Sequence, residues 1–143
     1  MKTFNAIIIG YGQAAGPLAH RLADRGWTVA MIEREHVGGS CVNYGCTPTK
    51  TMLASAQIAH YARRAGEFGV RVGPVGIDLP AVVARKNQMV LQWRQGQEKQ
   101  VAKRPNITLY RKGARFTGPH TVLVNGEELS AEHIFINSGT RPL

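Results

Sequence analysis

The stretch that most restricts what this chain can fold into lies near its start. An apolar run, Ile7-Ile8-Ile9, breaks at once into Gly10-Tyr11-Gly12-Gln13-Ala14-Ala15. A short run rich in isoleucine reads as a buried parallel strand, here Thr3 to Ile9. A helical pattern then carries Pro17, Leu18, Leu22 and Ala23 to Gly26, and a second strand from Trp27 to Ile32 ends at Glu33. Strand, helix and strand fit within the roughly 30 residues that a β-α-β unit needs. The unit predicts an α/β, Rossmann-like domain with a parallel sheet. Each special position has a physical use. Gly10 serves the tight turn, Gly12 admits a pyrophosphate against the backbone, and Ala15 lets strand and helix pack closely. The first N–H groups of the helix face the phosphates, and Glu33 accepts hydrogen bonds from a ribose diol. Such a turn alone also suits a unit that binds another nucleotide or S-adenosylmethionine.

The second constraint is Gly38-Gly39-Ser40-Cys41-Val42-Asn43-Tyr44-Gly45-Cys46-Thr47-Pro48-Thr49-Lys50, which holds the only two cysteines. An isolated pair could be two unrelated buried thiols. On a straight helix, residues five apart are displaced by about 7.5 Å along the axis, while a disulfide needs Cα atoms roughly 4.4–6.8 Å apart. Cys41 and Cys46 can therefore bridge only if the backbone between them leaves the regular helix, and Gly45 gives freedom for that bend. Pro48 suits the first turn of a following helix, with Thr47 as its N-cap. A helix N-terminus beside Cys46 favours the thiolate. No Cys or His set completes a four-ligand metal site. The five histidines have no Ser, Cys or carboxylate at triad spacing, so each reads as a surface or satisfied core residue.

Further along, a helix is expected from about Pro48 to Ala65, with Met52, Leu53, Ala56, Ile58 and Ala59 as core positions. Gly66 to Pro80 reads as a loop or short strand. A second long helix spans about Leu79 to Lys103, weakened at Gly96, with Trp93 structural. Ile107–Tyr110, Ala114–Phe116 and Thr121–Val124 alternate as strands and read as a small antiparallel meander attached to the parallel sheet. Gly118-Pro119 and Asn125-Gly126 mark its turns, the Asn-Gly being a strong hairpin signal. A last buried strand runs from His133 to Asn137. No apolar run is long enough for a membrane span or a signal-peptide core, which points to the cytoplasm, where structural disulfides are rare. The net charge of +9 gathers between Arg85 and Arg115 against the single acid Glu98. No nucleic-acid recognition motif accompanies those cations, so they read as a solvated helix face or a surface for acidic partner segments.

In combination, the glycine turn, Glu33, the cysteine segment, Lys112-Gly113-Ala114-Arg115-Phe116 and the closing Ser138-Gly139-Thr140-Arg141-Pro142 resemble, in the same order, the first part of the FAD-dependent pyridine nucleotide–disulfide oxidoreductases. That family includes lipoamide dehydrogenase, glutathione reductase and mercuric reductase. The wording Gly12-Gln13-Ala14-Ala15-Gly16-Pro17, with Cys46-Thr47-Pro48-Thr49-Lys50, is nearest the mercuric-reductase-like branch. The resemblance implies a redox-active Cys41–Cys46 disulfide. Cys46 would be the thiol nearest the flavin and Cys41 the outer thiol that attacks substrate. Lys50 would steady negative charge near the reactive flavin nitrogen. FAD would further contact Gly10, Gly12, Ala15, Glu33, Gly39, Ser40, the backbone of Ala114, and Ser138 with Gly139. The family's usual Ala-Thr-Gly at the last site reads Asn137-Ser138-Gly139 here.

The mechanism implied runs from NAD(P)H through FAD to the disulfide and on to a small-molecule or small-disulfide acceptor, or to mercuric ion. Residues 1–143 correspond to the N-terminal segment of the FAD-binding domain. The NAD(P)H domain and the dimerisation domain are absent from it, and the parent is expected to be a homodimer. Two readings follow: the first piece of an oxidoreductase, or a nucleotide-binding module without turnover of its own. No nucleic-acid or membrane partner is expected, and no metal-ligating residues are assigned.

Overall fold

Ile7 and Ile8 point to opposite faces of one strand and both are fully buried, so that strand must be covered on two sides. The computed structural model describes residues 1–140. In it, β1 (Lys2–Ile9) leads through α1 (Ala15–Asp24) to β2 (Val29–Ile32). Three helices follow, α2 (Gly39–Asn43), α3 (Cys46–Arg64) and α4 (Leu79–Ala102), then β3 (Ile107–Tyr110), β4 (Arg115–Gly118), β5 (Thr121–Val124) and β6 (Glu127–Ile136). One six-stranded sheet results, in the order β3-β2-β1-β6-β5-β4. β1 is parallel to both β2 and β6, and β2 is parallel to β3. β4, β5 and β6 are antiparallel neighbours.

The two-residue period divides the core. Ile8, Val29 and Met31 face α1 with Ala15, Ala19 and Ala23. The alternate residues Ile7, Ala30 and Ile32 gather with Val122, Val124 and Leu129. Small residues on α1 let the helix lie close to the sheet, as expected of Ala15, which is 1% exposed. Asn125 and Gly126 both have positive φ, as a tight hairpin turn between β5 and β6 requires. No helix among the described residues is long and apolar enough to cross a membrane.

Several expectations need correction. Ile107–Tyr110 is not part of the meander. It pairs in parallel with β2, because the helical connection returns the chain to that edge, and alternation alone does not distinguish parallel from antiparallel partners. β6 starts at Glu127, earlier than His133, and its last residue Ile136 is 68% exposed rather than buried. α4 runs through Gly96 without a break, as a long helix tolerates one glycine at about 1 kcal/mol. The stretch after α3 is the loop rather than the strand of its two expected readings, opening with a 3-10 turn, Ala65–Phe68. Of the proposed core positions on α3 only Ala59 is buried; Met52, Leu53, Ala56 and Ile58 are exposed. Arg141 and Pro142 of the closing motif lie outside the described residues.

Candidate redox and nucleotide site

β1 ends in a turn that only glycine fits. Gly10 has φ +95° and a Cβ there would fall on the carbonyl of Asn137. Its N–H donates to the Ile32 carbonyl at 2.7 Å, tying the turn to the neighbouring strand. The next N–H, of Tyr11, donates to Glu33 Oε2 at 2.8 Å, while Oε1 of the same carboxylate accepts from the Glu35 N–H at 2.8 Å. Glu33 therefore braces the turn besides facing the cleft. Tyr11 is 2% exposed. Its ring lies 3.1 Å from where a Cβ on Gly16 would stand, so Gly16 makes room for it. Burial, with Glu98 behind it, pushes the Tyr11 phenol up, which keeps it neutral.

A second glycine turn locks onto the first. Gly38 and Gly39 have φ +97° and +58°, and a Cβ on Gly39 would lie 2.7 Å from the Cα of Gly12. The Gly38 N–H donates to the Tyr11 carbonyl at 2.9 Å, and Gln13 Nε2 donates to the Gly38 carbonyl at 3.1 Å. The short α2 begins at Gly39 and stops at Asn43. There the N–H groups of Tyr44 and Gly45 both donate to the Ser40 carbonyl, at 2.9 and 2.7 Å. The chain turns at Gly45, where a Cβ would meet Ser40 O at 3.2 Å, and α3 starts at Cys46. The required departure from regular helix is thus present. Cys41 and Cys46 are joined by a disulfide with their Cα atoms 4.7 Å apart. Thr47 is not the N-cap; Gly45 occupies that position without a side-chain bond. The sulfur of Cys46, not a capping side chain, stands at the helix end, while Pro48 falls in the first turn as its missing N–H demands.

Asn43, not anticipated as a site residue, anchors this segment. It is 7% exposed. Its Nδ2 donates to the carbonyls of Val37 and Gly39 at 3.0 and 2.9 Å, and its Oδ1 accepts from Arg94 Nε of α4 at 3.0 Å. Arg85, nearer the start of α4, donates to the Thr51 carbonyl and to Ser55 Oγ of α3.

The two glycine turns form one wall of a cleft of about 440 Å³. Gly10, Gly12, Glu33, Gly39, Ser40 and Cys41 line it. Ala114, Ser138 and Gly139 border it from the strands beyond. Three expected residues lie outside its lining. Ala15 packs beneath the turn in the core. Cys46 is reached through its bond to Cys41, and Lys50 is exposed four residues further along α3. Asn137 also borders the cleft, and its buried Nδ2 has no hydrogen-bond partner. The residues present fit a dinucleotide. A Cβ on Gly10 or Gly12 would press on Asn137, and one on Gly39 on the Gly12 backbone, so the turns at the cleft wall carry no side chain there; α1 opens beside them, and an unpaired amide donor borders the cleft. Such a wall suits an anionic pyrophosphate.

Residues 4–143 match the pyridine nucleotide-disulphide oxidoreductase family. The chain belongs to that family. Among its relatives is the mercuric reductase of Lysinibacillus sphaericus, 34% identical over 97% of this chain and 26% of that protein. Another is the dihydrolipoyl dehydrogenase of Thermus scotoductus, 36% identical over 100% of this chain and 31% of that protein. The chain thus spans about a quarter to a third of the length of these relatives. In structure it resembles the HOCl-induced flavoprotein disulfide reductase RclA from Escherichia coli, with a TM-score of 0.78 and 35% identity over 97% of this chain and 29% of that one. The six-stranded sheet and its helices therefore resemble the FAD-binding domain of disulfide reductases.

Proposed function

We propose that this chain is the N-terminal FAD-binding part of a cytoplasmic flavoprotein disulfide reductase. In that reading electrons pass from NAD(P)H by way of FAD to Cys41–Cys46 and on to a small acceptor, either a disulfide or a metal ion such as mercuric ion. The observation that carries it is the position of Cys41, bonded to Cys46, on the wall of the same cleft that the two glycine turns shape. Bound FAD would supply two-electron chemistry between the nicotinamide and the sulfurs. The chain's own residues do the rest. Gly12 and Gly39 would bring backbone N–H groups against the diphosphate, with Ser40 beside them, while Gly10, whose own N–H is taken by the Ile32 carbonyl, makes the turn that presents them. Glu33 keeps lone pairs free for ribose hydroxyls while it holds the Tyr11 N–H. Ala114, Ser138 and Gly139 border the far side, and Ala15 keeps α1 close enough to point at the phosphates.

When the disulfide opens, two electrons enter the S–S bond and two thiols or thiolates result. Cys46, at the head of the 19-residue α3, is the sulfur whose thiolate the helix dipole favours. We assign it to the flavin side and Cys41 to attack on the acceptor, with Lys50 supplying positive charge one turn beyond. A homodimeric parent carrying the nicotinamide site elsewhere in its chain completes the reading. Absorption spectra of the reduced FAD-loaded parent test it. Cys46→Ser should abolish the long-wavelength thiolate–flavin band, whereas Cys41→Ser should retain it. The reverse pattern exchanges the two roles, and loss of neither band removes the redox assignment.

A further inference from the structure

We propose that the side-chain amide of Asn137 is a donor to the diphosphate of bound FAD, and that it waits unpaired until the cofactor arrives; this rests on the FAD reading above. Asn137 directly follows β6, and its backbone N–H donates to the Ile9 carbonyl at 2.7 Å. That bond fixes the residue directly under the first glycine turn. Its Nδ2 is shut off from solvent and has no hydrogen-bond partner. A buried donor left unpaired is costly, and such groups call for an acceptor.

The direction of the amide says where the acceptor comes from. Asn137 borders the cleft, and Nδ2 lies 3.1 Å from the place a Cβ on Gly12 would occupy. Gly12 is the point at which the backbone leaves room for a pyrophosphate. The amide takes up the space that a Cβ on Gly12 would need, against the backbone that a pyrophosphate approaches. The terminal torsion of asparagine is soft, so a small turn of the carboxamide brings an N–H to a phosphate oxygen resting on Gly12, or to a water held between them. Bonds of this kind to a charged acceptor are stronger than neutral ones. Gly12 thus has two uses, admitting the ligand and leaving space for the amide that meets it.

The test is calorimetric titration of the purified chain and its Asn137→Ala variant with FAD, ADP and adenosine, together with the ligand-free melting temperature of each. The proposal expects Kd for FAD and for ADP to rise about tenfold to a hundredfold in the variant. Adenosine, which has no phosphate, should bind both proteins alike. The ligand-free melting temperature should hold or rise, since the variant loses an unpaired buried donor. Asn137→Asp should bind both phosphate ligands more weakly still, by repulsion. Unchanged Kd for FAD and ADP overturns the proposal, as does a lowered ligand-free melting temperature with adenosine weakened equally, which would mark a structural amide. If Asn137→Ala does not fold, Asn137→Ser is read in its place against the same outcomes. Failure of the unsubstituted chain to bind either FAD or ADP is a different result: it removes the FAD reading itself, and this proposal with it.

Discussion

At the scale of single residues, the site is built from what is missing as much as from what is present. The close approach of Gly39 to Gly12 welds two turns that are 27 positions apart in sequence. Gly39→Ala combines a positive φ with a Cβ only 2.7 Å from a backbone carbon. We expect a loss of about 2 kcal/mol or more in stability, read as a lower urea midpoint, and a parallel loss of FAD affinity because both turns must shift. The requirement for glycine at position 10 was legible, since a strand running into Gly-x-Gly has few other meanings. The special needs of Gly16, Asn43 and Asn137 were not. They arise from partners that sequence spacing cannot reveal: the Tyr11 ring, two carbonyls with Arg94, and the underside of Gly12. A polar residue directly after an apolar run, as Asn137 is after Ile134-Phe135-Ile136, was the one available hint.

At the scale of elements, the β-α-β unit and the hairpin at Asn125-Gly126 could be read because each is fixed by local chemistry. Helical boundaries near the cysteines were harder, since Thr47 and Gly45 compete for the cap and the backbone bend decides between them. α3 shows the limit of periodicity. Its apolar residues look like a core face, yet Leu53 is 59% and Ile58 71% exposed, while Ala59 is 7% exposed. Ile58→Gln should therefore change the stability of this chain by no more than about 0.5 kcal/mol, whereas Ala59→Gln, forced against the helical neighbours, should cost about 1–3 kcal/mol. Thermal unfolding of the two variants separates the readings; an equal loss from both would restore Ile58 to the core. Hydrophobic pattern reports that a face is apolar, not what covers it.

Across the whole molecule, the cationic stretch between Arg85 and Arg115 proves less like a free surface than its charge suggests. Arg85 and Arg94 hold the cysteine segment, Arg104 pairs with Asp24 at 3.0 Å, and Arg111 with Glu98 at 3.0 Å. Four arginines of that stretch thus serve as cross-links between elements, which counts of charge could not show. The disulfide itself contributes modestly to overall stability, because it closes a very short loop. Chain entropy assigns it about 2 kcal/mol, against the 5–15 kcal/mol typical of a domain. Dithiothreitol should lower the melting temperature while leaving one cooperative transition; a chain that unfolds on reduction alone would contradict this. The reason lies in the Ser40 carbonyl, which gathers the N–H groups of both Tyr44 and Gly45. Those bonds do not involve sulfur, so the elbow between the two helices survives when the bridge parts. The freed thiols remain face to face, and the couple can cycle many times without the backbone having to find its shape again.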